Sequence, residues 1–172
     1  KGTKLSFKPN KNLRPTESKT KETLFNWLLN DLHKKKCLDM FAGTGALGLE
    51  AISRGADEVI FFEKQKDLCT AIEVVIKKLE LDKKCRVINA NSTAFDFTKL
   101  NTKFDLIFLD PPFHKRLIQK SLDIISKNEL LTEKGLVYIE CERDLEFGSL
   151  KTNLSRLKQS KGGETKYCLY ES

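Results

Sequence analysis

Two short stretches carry residue types that could do chemistry together. The first is Cys37-Leu38-Asp39-Met40-Phe41-Ala42-Gly43-Thr44-Gly45-Ala46-Leu47-Gly48-Leu49-Glu50-Ala51. An apolar run, Cys37 to Phe41, reads as a buried strand; three glycines then turn the chain, and Ala46 to Ile52 opens a helix. Glycine at such a turn permits positive φ and lets a ligand approach bare backbone. A ligand placed there meets the unpaired N–H groups of a helix N-terminus. The spacing Gly43-x-Gly45-x-x-Gly48 fits a dinucleotide fingerprint, which points to a nucleotide-like cofactor without saying which one.

The second stretch, Asp110-Pro111-Pro112-Phe113, narrows the choice. Two consecutive prolines deprive the turn of two N–H donors and stiffen it, leaving nearby carbonyls as acceptors. An Asp carboxylate beside such a carbonyl makes a double acceptor suited to an exocyclic –NH₂. Phe113 offers a flat face on which a base could stack. A base amine is a poor nucleophile because its lone pair is delocalised into the ring. Two acceptors holding its hydrogens favour a more pyramidal nitrogen, and stacking fixes it for in-line attack on an electrophilic methyl. The bland alternative is a strand ending in a Pro-Pro turn with a capping Asp.

Strands alternating with helices must position these stretches. Val59 to Phe62 reads as a second buried strand ending in Glu63, where a ribose-binding carboxylate is expected at a strand's C-terminal end. A helix-capping or solvent-facing glutamate is the other reading. Gly55 would close the preceding helix. Leu68, Ile72, Val75, Ile76 and Leu79 line one face of a helix. Val87-Ile88 is a short strand leading to Asn89-Ala90-Asn91-Ser92, whose side chains could contact an adenine edge or simply form a turn. Phe104 to Leu109 is the strand that Asp110 leaves. Ile118, Leu122 and Ile125 mark the next helix, and Leu136 to Glu140 a further strand after Gly135. Leu154 to Ser160 and Lys166 to Tyr170 flank Gly162-Gly163 as a hairpin. Upstream, a helix over about Glu17 to Leu32 places Leu24, Phe25, Leu28 and Leu32 on one face, with Lys19, Lys21 and Asn30 opposite and Trp27 partly buried; Thr16 or Ser18 would cap it. Pro15 would hold Arg14 extended. Lys1 to Asn12 is basic, with Leu5 and Phe7 alternating as in a short strand. The whole reads as an α/β domain with a mostly parallel sheet covered on both faces, its ligands at the strands' carboxyl ends.

Composition agrees with one such domain. The chain has 172 residues, 40% hydrophobic and 32% charged, with no apolar run near the roughly 20 residues of a membrane span. Five cysteines without a C-x-x-C pair, and only two histidines, point to reduced thiols in the cytoplasm and to no metal site. No signal peptide is expected, and the start at Lys1 leads us to expect a few further N-terminal residues. The net charge of +7 and pI near 9.1 favour an anionic partner, nucleic acid first, although lysines that merely keep the chain soluble would give the same balance.

These motifs carry a resemblance. Phe41-Ala42-Gly43-Thr44-Gly45 resembles motif I of the class I S-adenosylmethionine methyltransferases. Asp110-Pro111-Pro112-Phe113 resembles the motif of those that methylate exocyclic amines of nucleic-acid bases. Leu13-Arg14-Pro15-Thr16, Glu22-Thr23-Leu24-Phe25-Asn26-Trp27-Leu28, the Leu38 to Ala51 block and the Tyr167 to Tyr170 ending are similar to the bacterial 16S rRNA guanine-N2 methyltransferases, over nearly the whole chain. The resemblance implies a Rossmann-like, mostly parallel seven-stranded sheet over residues 17–172. Residues 1–16 would be a basic extension, with Lys1 to Leu5 the end of a small N-terminal β-hairpin.

It further implies S-adenosylmethionine as cofactor, S-adenosylhomocysteine as product and no metal. Asp39, Phe41, Ala42, Gly43, Thr44, Gly45, Leu47 and Gly48 would surround the cofactor's methionine end, Glu63 its ribose and Asn91-Ser92 its adenine. Asp110, which also borders the cofactor, and the Pro111 carbonyl would hold the target amine. Phe113 would stack on the extruded base beside Pro112. Arg14 and Thr16 would approach the substrate or cofactor rim, and Lys115 and Arg116 would reach phosphates or else be solvated. The expected partner is 16S rRNA within an assembling small subunit, met by a monomer without a membrane. Three rivals remain: an adenine-N6 methyltransferase sharing the Asp-Pro-Pro-Phe motif, a nicotinamide-dependent oxidoreductase using the same glycines, and a non-catalytic RNA-binding module.

Overall fold

A computed structural model describes residues 15–29, 32–113 and 116–172, with the backbone alone described for 15–18. Among these residues seven strands form one sheet in the order β3-β2-β1-β4-β5-β7-β6. The strands are β1 (Lys36–Asp39), β2 (Glu58–Glu63), β3 (Cys85–Asn89), β4 (Phe104–Leu109), β5 (Leu131–Glu142), β6 (Ser155–Gly162) and β7 (Thr165–Glu171). Pairing is parallel from β3 to β5, and β7 runs antiparallel between β5 and β6. The expected Rossmann-like methyltransferase architecture is present. The helices are α1 (Pro15–Trp27), α2 (Ala46–Ser53), α3 (Lys66–Lys78) and α4 (Leu117–Lys127).

Both faces of the central strands β1, β2 and β4 are buried, as near-continuous apolar strands require, while the edge strand β6 is largely exposed. On one face Leu24 and Phe25 of α1, Leu28 just past its end, Leu49 and Ile52 of α2, and Ile72 and Ile76 of α3 cover Val59, Phe61, Phe108 and Tyr138. On the other, Ile118, Leu122 and Ile125 of α4 pack with Phe62, Ile107 and Ile139. Gly48 is a packing glycine, since a Cβ there would lie 2.2 Å from Phe61 Cε1. Gly55 takes φ +106 just past α2, and Gly163 takes φ +59 in the two-residue loop between β6 and β7, so the helix stop and the hairpin form as expected. The five cysteines are free and buried.

Several boundaries move. Helix α1 starts at Pro15, a residue favoured in a first helical turn, so Thr16 and Ser18 lie inside the helix rather than capping it. It ends at Trp27, not Leu32: Leu28 and Leu29 form a turn, and Leu32 is still buried in the same core cluster as Leu24, Phe25 and Leu28. Trp27 is half-buried, 5.5 Å from the Tyr167 ring. Strand β1 stops at Asp39, since Met40 and Phe41 already belong to the bend. Strand β5 begins before Gly135 and accommodates three extra residues by a register shift, with Lys134 at φ +57. The expected strand of the basic extension, the pose of Arg14, and Asn30 fall outside the described residues.

Candidate active site

The order β2-β1-β4-β5 sets the carboxyl ends of four parallel strands side by side, and each ends in a polar group. Glu63 closes β2, the glycine bend follows β1, Asp110 follows β4, and Glu140 lies near the end of β5. The bend is tied on both sides: Met40 N donates to Phe108 O at 3.2 Å, and Ala42 N to Phe62 O at 2.9 Å. Gly43 and Gly45 take φ +53 and +78, which any side chain would resist. Gly45 ends the bend as the residue preceding α2, and a Cβ there would press Ile72 Cγ1 at 3.1 Å. At Gly43 the added Cβ would meet nothing within 4 Å. That space is open to a ligand against bare backbone.

Glu63 is buried, and its carboxylate accepts from Gly43 N at 2.9 Å and from Gln65 N at 2.7 Å. Its own carbonyl is held by Asn89 Nδ2 at 2.9 Å, Ala90 N at 3.1 Å and Cys69 Sγ at 3.2 Å. So Asn89 serves as a strut. Asn91 Oδ1 accepts from Thr93 N and Thr93 Oγ1 as a turn cap, and the buried Ser92 hydroxyl donates to Met40 O at 2.7 Å. Both side chains do structural work, with Ser92 joining the end of β3 to the glycine bend.

Asp39 lies beneath that bend, fully buried, and its Oδ1 has no hydrogen-bond partner. Burial pushes its pKa up to about 7, opposed by hydrogen bonding from the Phe41 and Gly48 backbone and reinforced by the negative charge of Glu63. A carboxyl held near neutrality under a ligand space favours a cationic visitor, whose charge would offset its desolvation. S-adenosylmethionine carries a sulfonium and an ammonium. The open backbone at Gly43, the Glu63 carboxylate and the orphaned Asp39 oxygen therefore fit that cofactor.

The diproline corner differs. Pro111 is buried, while Asp110, Pro112 and Phe113 are exposed, Phe113 at 38%. Arg116 precedes α4 at φ +49 and lines a cavity of about 430 Å³ with Pro111, Pro112, Leu117 and Lys151. None of the glycine-bend residues lines that cavity; it lies behind the corner, against α4. Thr16 is placed in α1 by its backbone only, and Arg14 and Lys115 lie outside the described residues. Among described residues, none of the His, Cys, Asp and Glu gather into a group that could hold a metal.

The structure also brings in a pair that the sequence did not single out. The Tyr138 hydroxyl, on the strand beside Asp110, donates to Glu140 Oε2 at 2.8 Å. A carboxylate near the end of the strand that follows the Asp-Pro-Pro-Phe helix is the local signal that could have found it.

The family model described as "Conserved hypothetical protein 95" matches residues 1–171. Ribosomal RNA small subunit methyltransferase D of Haemophilus influenzae is 38% identical over 99% of this chain and 89% of its own length. The chain belongs to that methyltransferase family. The Escherichia coli protein of the same name is 34% identical over 99% of this chain and 85% of its own. A solved Haemophilus influenzae structure, 39% identical, matches with a TM-score of 0.79 over 91% of this chain and 98% of that one. As a class I methyltransferase the chain uses S-adenosylmethionine. The oxidoreductase reading of the glycines falls away.

Proposed function

We propose that this protein transfers a methyl group from S-adenosylmethionine to the exocyclic N2 amine of a guanine in 16S rRNA. The observation that carries the reading is the adjacency of β1 and β4, which sets the glycine bend and the acceptor corner on one rim. Curated relatives named as small-subunit rRNA methyltransferases support RNA as the substrate, and the net charge of +7 suits it.

When bound, S-adenosylmethionine supplies an electrophilic methyl on a sulfonium. The chain's residues do the rest. Gly43 and Gly45, with Asp39, Phe41, Ala42, Thr44, Leu47 and Gly48 around them, form the cradle for the methionine end. Glu63, held through two backbone N–H groups, faces the ribose. Asn91 and Ser92 border the adenine through the turn they shape. Asp110 and the Pro111 carbonyl accept hydrogens of the target amine and so direct its lone pair. Phe113 stacks on the extruded base, with Pro112 as its support. Arg14, Thr16, Lys115 and Arg116 lie toward RNA phosphates and sugars. Residues 17–172 form the methyltransferase domain and 1–16 a basic extension. The protein acts as a cytoplasmic monomer on a folded ribosomal particle, because so small an appendage reads little RNA sequence by itself.

Mass spectrometry of 16S rRNA fragments from cells lacking the protein tests the activity: one guanine should lose a 14 Da increment, and an unaltered spectrum rejects the reading. Methyl incorporation into naked 16S RNA and into assembling subunits tests the particle requirement, which equal rates on naked RNA would reject. Nuclease digestion of the product separates N2-methylguanosine from N6-methyladenosine.

A further inference from the structure

Asp110 explains how an amine is held, but an adenine amine would suit it equally. The neighbouring strand supplies what could tell the two bases apart. Leu109 pairs with Ile139 in the parallel β4–β5 ladder, so Asp110 and Glu140 each lie one residue beyond that pair. Phe108 and Tyr138, one pair earlier, share the α1-side face with rings 6.4 Å apart. Side chains two apart on a strand share a face, so Glu140 leaves on the same side as Tyr138. The Tyr138 hydroxyl then donates to Glu140 Oε2 at 2.8 Å. Burial raises the Tyr138 pKa, as do the charge and hydrogen bond of Glu140 and the charge of Asp110, so this one hydroxyl feels both carboxylates. Two carboxylates at the same level of neighbouring strands set hydrogen-bond acceptors side by side. The arrangement suits a ligand that presents several donors in a row.

Guanine is such a ligand. Its Watson–Crick edge carries N1–H beside the N2 amine, whereas adenine carries a bare N1 lone pair beside its N6 amine. A carboxylate offers about four acceptor sites, so the bond from the Tyr138 hydroxyl does not by itself fill Glu140. We propose that Glu140 accepts the N1–H of the target guanine while Asp110 accepts from its amine. Glu140 is thus the residue that selects guanine, and Tyr138 is the positioning residue that holds it. This deepens the guanine-N2 reading and rests on it.

The test uses small-subunit RNA carrying guanosine or 2-aminopurine riboside at the modified position. The analogue keeps the 2-amine but presents a lone pair at N1. Wild-type protein should prefer guanine by about 100-fold or more in kcat/KM, as a site built around a donor rejects an analogue without it. Glu140→Gln keeps the bond from Tyr138 and offers an amide donor to the bare N1, so the preference should fall by about tenfold or more. Tyr138→Phe should lower it by a few-fold, with cofactor affinity unchanged. A folding defect would slow both substrates alike and leave the ratio where it was. An unchanged ratio in Glu140→Gln, or equal use of both substrates by the wild type, overturns the assignment. If digestion shows methyl on adenine and none on guanine, the guanine reading itself has failed and takes this one with it.

Discussion

The glycine bend and the diproline corner leave adjacent parallel strands, yet they are built in opposite ways. The bend is tied into the protein at several points: Glu63 accepts from Gly43 N, Ser92 donates to Met40 O, and Gly48 fits against the Phe61 ring. The corner has a buried Pro111 as its base and otherwise shows Asp110, Pro112 and Phe113 to solvent. One loop gathers backbone donors; the other removes them and leaves acceptors. In the proposed assignment the bend, which would hold the cofactor, is the internally braced half, and the corner, which would meet the target base, is the exposed half. A small ligand rewards a pre-organised cradle, whereas a base carried on an RNA needs an accessible one.

Breaking the corner should have the largest effect on activity and the least on the cradle. Asp110→Ala is expected to lower methyl transfer by about 100- to 1,000-fold, the loss typical of a removed transition-state contact. Cofactor affinity, measured by calorimetry, should change by no more than a few-fold. An equal loss of both would erase the distinction between the two loops.

Asp39 tests the cradle through pH. Its folded pKa of about 7 lies above the ordinary 3.8, so the folded state holds the proton more tightly than the unfolded one. Below about pH 4 the group is protonated in both states and carries no penalty. Between about pH 4 and 7 unfolding releases the proton, so stability falls as pH rises, and above pH 7 the penalty is constant. Asp39→Asn should abolish this slope, worth up to about 4 kcal/mol at 1.36 kcal/mol per unit. Denaturant titrations of the cofactor-free protein at pH 5 and pH 8 would measure it.

Two glycine substitutions separate packing from ligand space. Gly48→Ala drives a methyl into Phe61 and should cost about 1–3 kcal/mol of stability. Gly43→Ala meets no atom within 4 Å and carries only the strain of φ +53, about 1 kcal/mol, yet should weaken cofactor binding more. Thermal unfolding and calorimetry on both proteins would reverse the comparison if Gly43→Ala bound normally. Glu63→Gln gives the smallest change: one acceptor for Gly43 N or Gln65 N becomes a donor, and cofactor affinity should drop by about tenfold while kcat moves less.

Much of the rim was legible because its signals are local. Three glycines at fixed spacing, a run of four apolar residues ending in Glu63, and two prolines after Asp110 each state their turn within a few residues. Boundaries were harder. Strand β1 gives up Met40 and Phe41 to the bend, and α1 gives up everything after Trp27, because packing against the sheet, not helical periodicity, decides where the chain turns. At Asn91-Ser92 polar turn residues and ligand contacts use the same side chains, and the structure shows those side chains engaged as a cap and a strut.

By itself the sequence determined the elements, their order and the chemical character of each loop, since these follow from periodicity, proline and glycine. Tertiary structure alone decided which strand ends are neighbours. Asp39 became an orphaned buried carboxyl only when β1 was enclosed on both sides. Glu140, thirty positions from Asp110, came level with it only when β5 paired with β4. Burial and register arise from contacts between distant segments, and no local pattern encodes them.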